Sequence, residues 1–419
     1  MPKNTVVAVD MGTSKISCLI AEYSPETGLE IIGRGHTPSH GIKAGVVTDL
    51  KECARALELA VIEAENSAGM RVNSVFAGIT GEHIQIKNNK AKIDITGKGY
   101  KITAEDVTKV VQMAGGISLT ADRKILHVIP RGFCIDGYIV VDDPVGMQGK
   151  ILEVDAFVVT GAKAYMQNIN LALEMSELEL EKDGYIYSTI AAAGTVLKDE
   201  EKKVGILLVD IGAGTTKIAA YKGGSLISCR TIPIAGDKIT YDIALTFKIP
   251  LSEAERLKVQ KGSACADRLN NDEQNEIIEA EDFADSGIIV DVQRKLLAQT
   301  IEARLMDIFE LVGREVRKLN EIGIIPVGVI LTGGTARLKD IHYLASRVLE
   351  LRVRVGKPIN IAGLKEWEGN PEFAGVVGAL NCAITRKKTS TKSPVVKANI
   401  SHGMFTSFKR VWDWVIQAF

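Results

Sequence analysis

The sequence predicts an α/β protein with duplicated α/β halves. A strand–turn–strand pattern near the N-terminus returns two hundred residues later, and a third buried strand runs into a Gly-Gly turn followed by a helical stretch. Size agrees: 419 residues, 46% of them hydrophobic, suffice for two or three domain-sized units with large cores.

Composition excludes several classes. Charged residues make up 25% of the chain, with 51 Lys+Arg against 52 Asp+Glu, unlike a disordered polyelectrolyte, a collagen-like repeat or a small disulfide scaffold. The six cysteines (Cys18, Cys53, Cys134, Cys229, Cys265 and Cys382) form no CxxC pair and read as reduced, buried small hydrophobes of a cytosolic protein. The apolar run within Met1–Lys15 is interrupted by Asp10, so a strand is expected there and not a signal peptide. No stretch approaches the roughly 18 apolar residues of a membrane-spanning helix. Charge is uneven, however. From Arg386 onward seven basic residues face one acid, Asp413, which leaves the body mildly acidic and points to an anionic partner at one end.

The first copy of the repeat reads Val6-Val7-Ala8-Val9-Asp10-Met11-Gly12-Thr13-Ser14-Lys15-Ile16, and the second Leu207-Leu208-Val209-Asp210-Ile211-Gly212-Ala213-Gly214-Thr215-Thr216-Lys217-Ile218. Each is a buried strand, an Asp, a glycine-containing turn, two hydroxyl residues, a Lys and another apolar run. A further turn follows each, Ser24–Gly28 and Lys222–Gly224, as in the opening hairpins of a sheet. Aligned on their lysines, the turns differ by two residues, which suggests a diverged duplication. Glycines let backbone approach a phosphate closely, and the turn N–H groups make an anion-binding concavity. The Asp, repelled by phosphate, is suited to hold a hydrated Mg2+. Two such turns facing each other would clamp a triphosphate between domains. One turn alone reads more readily as an ordinary glycine hairpin; the matched pair favours the clamp. The third element, Val329-Ile330-Leu331-Thr332-Gly333-Gly334-Thr335-Ala336 before a helix over Leu338–Leu349, would let a flat purine lie against backbone. Neither a GxxxxGK[ST] loop nor a GxGxxG fingerprint is present.

In this order and at this separation, the three segments resemble the actin/Hsp70/hexokinase ATPase superfamily. The resemblance implies an actin-like two-domain ATPase fold around an ATP cleft, hinged by two linking helices. It makes Asp10 and Asp210 the Mg2+-proximal aspartates, acting through water. It assigns Gly12, Thr13 and Ser14 to the first phosphate loop, with Lys15 a weaker candidate, and Gly212, Ala213, Gly214, Thr215 and Thr216 to the second. Gly333, Gly334 and Thr335 fall in the adenosine loop, and Glu255 and Lys258 match a Glu-x-x-Lys helix that meets ribose and base.

The segment between the phosphate loops narrows the resemblance. It holds alternating strands to Ile95, a helix near Ala104–Gly115, His127-Val128-Ile129-Pro130, Asp143-Pro144-Val145-Gly146-Met147-Gln148-Gly149 and Leu152-Glu153-Val154. This looks like the 1C insertion subdomain of the FtsA family of bacterial division proteins, a likeness covering roughly residues 5–385. It divides the chain into a domain 1 core (1–81, 162–203 and 358–385), the 1C insertion (82–161), a domain 2 core (204–236 and 305–357) and a small subdomain of domain 2 (237–304). It also implies a peripheral protein of the cytoplasmic membrane face at the division septum. Such a protein binds ATP, forms filaments with itself, anchors the FtsZ ring and recruits later divisome membrane proteins. The stretch Asp291–Val312 reads by its own pattern as an amphipathic core helix with a solvated face; by resemblance its Arg304 meets the FtsZ C-terminal peptide. One departure stands out. Where the superfamily carries a water-orienting Glu or Gln and then a Pro, this chain has Ser188 and Thr189, so weak or no ATPase activity is expected and no catalytic residue is assigned.

After Ile384 the character changes. Residues 386–403 are basic, with no acid and few large apolar groups, and read as a flexible linker. Over 404–419, helical spacing puts Phe405, Phe408, Val411, Trp412, Val415, Ile416 and Phe419 on one face, with Lys409 and Arg410 on the other. Aromatics opposite a basic face describe an amphipathic helix lying on an anionic lipid surface. A terminal helix docked on the protein's own core is the competing reading; the long spacer favours the membrane, and so does the resemblance. The six histidines show no HExxH pairing and are expected to be structural. Nucleic acid is not an expected partner, because the basic charge lies on a tail. Other functions open to the same fold are a kinase or other ATPase, an Hsp70-like chaperone, for which no β-rich peptide-binding domain follows residue 385, and a pilus-type assembly adaptor.

Overall fold

The computed structural model describes residues 4–24, 28–282, 289–359 and 369–390. The expected helix over 404–419, and all of the basic segment beyond Ser390, lie outside them.

The first half opens with β1 (Thr5–Met11), β2 (Lys15–Ser24) and β3 (Gly28–Pro38), an antiparallel meander. The apolar run of β1 is buried as expected for a strand covered on both faces. A short hairpin, β4 (Ile42–Lys43) and β5 (Val46–Val47), leads to α1 (Leu50–Ala68). Asp49 starts this helix by accepting from the N–H groups of Lys51 and Glu52, and Gly69 ends it in the left-handed region at φ 67°. β6 (Ser74–Ile79) then lies parallel to β1.

The insertion follows: β7 (Gln85–Asp94), α2 (Ala104–Gly115), β8 (Arg123–Ile135), β9 (Ile139–Val141) and β10 (Ile151–Ala162). Its strands pair antiparallel in the order β7-β10-β8-β9. Thr103 and Asp106 form a capping box at the start of α2, whose Val107, Val110, Val111 and Ala114 pack into one core with Phe133, Leu152 and Val154. The chain then returns through α3 (Lys163–Met175) to β11 (Glu179–Tyr187), parallel to β6, and on to α4 (Ser188–Val196) and α5 (Asp199–Val204).

The second half repeats the plan. β12 (Ile206–Ile211), β13 (Thr216–Lys222) and β14 (Ser225–Ile232) form a second meander. A layer of α6 (Gly236–Phe247), α7 (Leu251–Lys261), α8 (Asn271–Asn275), β15 (Ile277–Glu281), β16 (Ile289–Gln293) and α9 (Arg294–Glu321) intervenes. β17 (Gly328–Thr332) then lies parallel to β12; α10 (Ile341–Leu349) and β18 (Arg352–Val355) complete the half. The sheet orders, β3-β2-β1-β6-β11 and β14-β13-β12-β17-β18, are one topology used twice. The last element, α11 (Ala374–Ser390), packs on α4, and a Cβ at Gly378 would stand 2.2 Å from Ala191 O.

Four expectations are corrected. The phosphate turns do not differ in length: Met11 pairs with Ile16 and Ile211 with Thr216, so each loop has the same four positions. Asp291 sits in β16, and the helix expected from it begins at Arg294 and runs on to Glu321. The helix expected from Leu338 starts at Ile341, after a short 3-10 turn over Gly334–Arg337. The segment from Arg386 is not linker at its start. It continues α11 to Ser390, with Arg386 bonded to Tyr185 O at 3.1 Å and lying 2.9 Å from His127 Nδ1, and Lys387 paired with Glu181 at 2.9 Å. All six cysteines are free thiols, and among the described residues no helix is long and apolar enough to cross a membrane.

Candidate functional site

The two hairpin turns, the β17 turn and α7 meet around one cleft of about 450 Å³. Asp10, Gly12, Thr13, Ser14, Lys15, Asp210, Gly212, Ala213, Gly214, Thr215, Glu255, Lys258, Gly333, Gly334 and Thr335 all line it. Thr216 does not: as the first residue of β13 it is fully buried, and its hydroxyl donates to Ile234 O at 2.6 Å.

Each turn is closed by the same bond, Gly12 N–H to Lys15 O and Gly212 N–H to Thr215 O, both 3.0 Å. The N–H groups of Thr13, Ser14, Ala213 and Gly214 donate to no protein acceptor among the described residues. They are the free donors an anion would meet. The turns also touch across the cleft. A Cβ on Gly214 would lie 2.8 Å from Thr13 Oγ1 and 2.9 Å from Ala44 Cα. Gly45 N–H, at the tip of the β4–β5 hairpin, donates to Thr13 Oγ1 at 3.2 Å; the hydroxyl's own hydrogen stays available for another acceptor. The third turn braces the second through Thr335 Oγ1, which donates to Gly212 O at 2.8 Å.

The side chains carry balanced charge. Asp10 accepts from Ser188 Oγ at 2.8 Å, and Asp210 from Lys217 Nζ at 2.9 Å. Burial raises the Asp10 carboxyl above its usual value, and the neighbouring Asp210 adds to this against the opposing Lys217 and Ser188. Burial works against the Lys217 charge, but Asp210 and Asp10 outweigh it and raise its pKa. Lys15 reaches Glu372 at 2.8 Å and lies over the Phe373 ring; burial lowers its pKa against the pull of Glu372. Lys258 is buried, bonded to Thr240 Oγ1 at 2.8 Å and paired with Glu255 at 2.5 Å, which ties α7 to the start of α6.

Sequence reasoning missed Lys217, Glu372 and Gly375 as cleft residues. For Lys217 a signal was available: counting from each glycine equates Lys15 with Thr215, and Lys217 with Ser17. The signal for Glu372 and Gly375 is not local, because they reach the cleft from the turn before α11 and its first residues. Arg304 lies elsewhere, on α9, with its guanidinium already held by Asp242 at 2.6 and 3.1 Å and by Asp307 at 2.9 Å. Cys265, Asp267 and Glu302 bring their ligand atoms within 4.8 Å, but Glu302 accepts from Ala266 N–H and pairs with Arg347, and burial pushes the Cys265 thiol up to about 11.

Comparison with known proteins agrees with this architecture. The family model described as Cell division protein FtsA matches residues 207–378, and that of an SHS2 domain inserted in FTSA matches residues 81–160. The chain is 33% identical to the Cell division protein FtsA of Pseudomonas aeruginosa, over 94% of this chain and 93% of that one. It is 31% identical to that of Escherichia coli K12, over 100% and 99%, and 33% identical to that of Bacillus subtilis, over 93% and 86%. Among solved structures, a PilM-PilN type IV pilus biogenesis complex superposes with a TM-score of 0.65 at 15% identity, covering 90% of this chain and 98% of that one. MreB5 of Spiroplasma citri bound to ADP gives 0.54 at 15%, covering 94% and 100%. At such identity these structures speak for the fold alone, and that fold is the actin-like one.

Proposed function

The chain belongs to the FtsA family of cell-division proteins, and from that premise we propose an ATP-binding, actin-like division protein that polymerises on the cytoplasmic membrane, anchors the FtsZ ring there and recruits later divisome proteins. One observation carries the nucleotide part: two matched turns with unspent N–H donors face a single cleft, with a third glycine turn beside them. Backbone donors suit phosphate, and the β17 turn leaves open space for a flat base, since a Cβ on Gly334 would meet nothing nearer than Glu372 Cβ at 3.9 Å. Asp10, hydrogen-bonded to the neutral Ser188 and in no direct ion pair among the described residues, suits a hydrated Mg2+, which would screen phosphate charge; the Asp210 carboxylate already has a direct ion pair with Lys217.

Turnover in this reading is weak. Ser188 is buried at the start of α4 and spends its hydroxyl on Asp10, so it orients no attacking water. Among the described residues each carboxylate of the cleft wall is engaged: Asp10 by Ser188, Asp210 by Lys217, Glu255 by Lys258 and Glu372 by Lys15 and Arg337. That favours a nucleotide-dependent switch over a kinase, which needs an available base.

Membrane attachment rests on the composition of 404–419 and the basic residues before it. Basic residues near an anionic leaflet contribute about 1 kcal/mol each. One short amphipathic anchor binds reversibly, so firm attachment comes from many tethered copies in an open, head-to-tail assembly.

The test is calorimetry with ATP on the native chain and on Gly334→Leu, paired with vesicle flotation of the native chain and one lacking 404–419. Gly334→Leu should keep its melting temperature and lose at least about tenfold in affinity, and the shortened chain should stay off anionic vesicles. Equal ATP binding by the two folded proteins, or equal flotation, overturns the corresponding half of the proposal.

A further inference from the structure

Lys217 marks a difference in kind between the two matched hairpins. The β12–β13 register sets Lys217 opposite Asp210, and the β1–β2 register sets Ser17 opposite Asp10. One half therefore has a neutral hydroxyl residue where the other has an ammonium. Lys217 is 9% exposed and lines the cleft, with Nζ 2.9 Å from Asp210 Oδ2. Lys15, Lys258 and Arg337, also on the cleft wall, pair with Glu372 or Glu255 and not with either aspartate. An ammonium carries three N–H donors; the bond to Asp210 uses one and leaves others for a phosphate oxygen. Its charge acts in a largely desolvated place, where Coulomb interactions exceed their strength in water.

Two aspartates beside a polyphosphate normally demand a divalent cation, because every group present is negative. Here one of the two is already neutralised by a side chain that cannot diffuse away. We propose that Lys217 is a tethered counter-ion that takes over part of the divalent cation's work, so that this chain binds ATP with little dependence on Mg2+. The inference rests on the nucleotide reading above and adds to it how the phosphate charge is met.

The test is isothermal titration of the full chain with ATP, once in excess Mg2+ and once in EDTA, for the native protein, Lys217→Met and Lys217→Arg. The native protein and Lys217→Arg should bind with affinities that differ by less than about threefold between the two buffers. Lys217→Met should weaken by about tenfold or more in EDTA and recover with Mg2+. A native affinity that collapses in EDTA overturns the inference without touching the nucleotide reading, and this arm needs no variant to fold. So does a folded Lys217→Met whose Mg2+ dependence equals the native one. Absence of ATP binding by the folded native protein in both buffers overturns the nucleotide reading, and the inference with it.

Discussion

Ser188 Oγ donates to Asp10 Oδ1 at 2.8 Å, joining the first residue of α4 to the end of β1. The carboxylate is closely surrounded: a Cβ on Gly78 would meet Asp10 Oδ1 at 2.7 Å, and one on Gly375 would meet Oδ2 at 2.5 Å. A conformational change at this aspartate would therefore reach both α4 and α11, the two helices that pack on each other beside the cleft.

The first prediction concerns the stability cost of that arrangement. Burial, reinforced by Asp210, raises the Asp10 pKa. With the folded value above the unfolded one, the native state holds the proton more tightly. Stability then falls as pH rises from the usual carboxylate value through the raised one. Asp10→Asn keeps an acceptor for Ser188 and removes the buried charge. Without nucleotide it should melt higher than the native chain at neutral pH, and the advantage should vanish in acid below the usual carboxylate pKa. Thermal melts across that range check it; a lower melting temperature at neutral pH would show that the attraction to Lys217 outweighs burial.

Much of this site is legible in the sequence because it is local. A strand, an Asp, a glycine turn and hydroxyls lie within a dozen residues, and each fixes its own backbone. What sits across a ladder is less legible. Aligning the two copies on their lysines equated Lys15 with Lys217, whereas the ladders equate Lys15 with Thr215, so the Lys217–Asp210 pair was lost. Glu372 reaches Lys15 across more than three hundred residues, with no local pattern to announce it. The basic density after Ile384 has two readings, solvated linker or helix end, and the groups that decide it for Arg386, the Tyr185 carbonyl and the His127 ring, are remote in sequence.

The second prediction tests contact between the halves. Gly214→Ala places a Cβ against Thr13 Oγ1 and the Ala44 backbone, so the turns must separate by a few tenths of an ångström or strain. We expect a loss of about 1–3 kcal/mol in chemical denaturation. Gly334→Ala meets only open space and should stay within about 0.5 kcal/mol.

A third prediction follows from the engagement of Arg304. Its guanidinium is held by Asp242 and Asp307, so an acidic partner peptide must compete with two carboxylates for it. Asp242→Asn should bind an FtsZ C-terminal peptide several-fold more tightly in low salt, and Arg304→Ala should lose binding. Fluorescence anisotropy with labelled peptide reads both. Equal affinity in native, Asp242→Asn and Arg304→Ala proteins would remove Arg304 from the interface.

The last prediction separates helix from tail. Arg386 donates to Tyr185 O and lies 2.9 Å from His127 Nδ1, while Lys387 pairs with Glu181 and donates to Thr5 O at 3.2 Å. His127 in turn accepts from Tyr187 N–H at 3.0 Å, one residue before Ser188. The final turns of α11 thus tie β8 of the insertion, β11 and β1 together, and they belong to the folded body. A chain ending after Ser390 should unfold at the same denaturant midpoint as the full chain. One ending after Thr385 loses both cations, leaves the Tyr185 carbonyl without the Arg386 donor, and should be less stable by about 2–4 kcal/mol. If both truncations unfold alike, the bonds of Arg386 and Lys387 contribute nothing to stability, and the body ends before them.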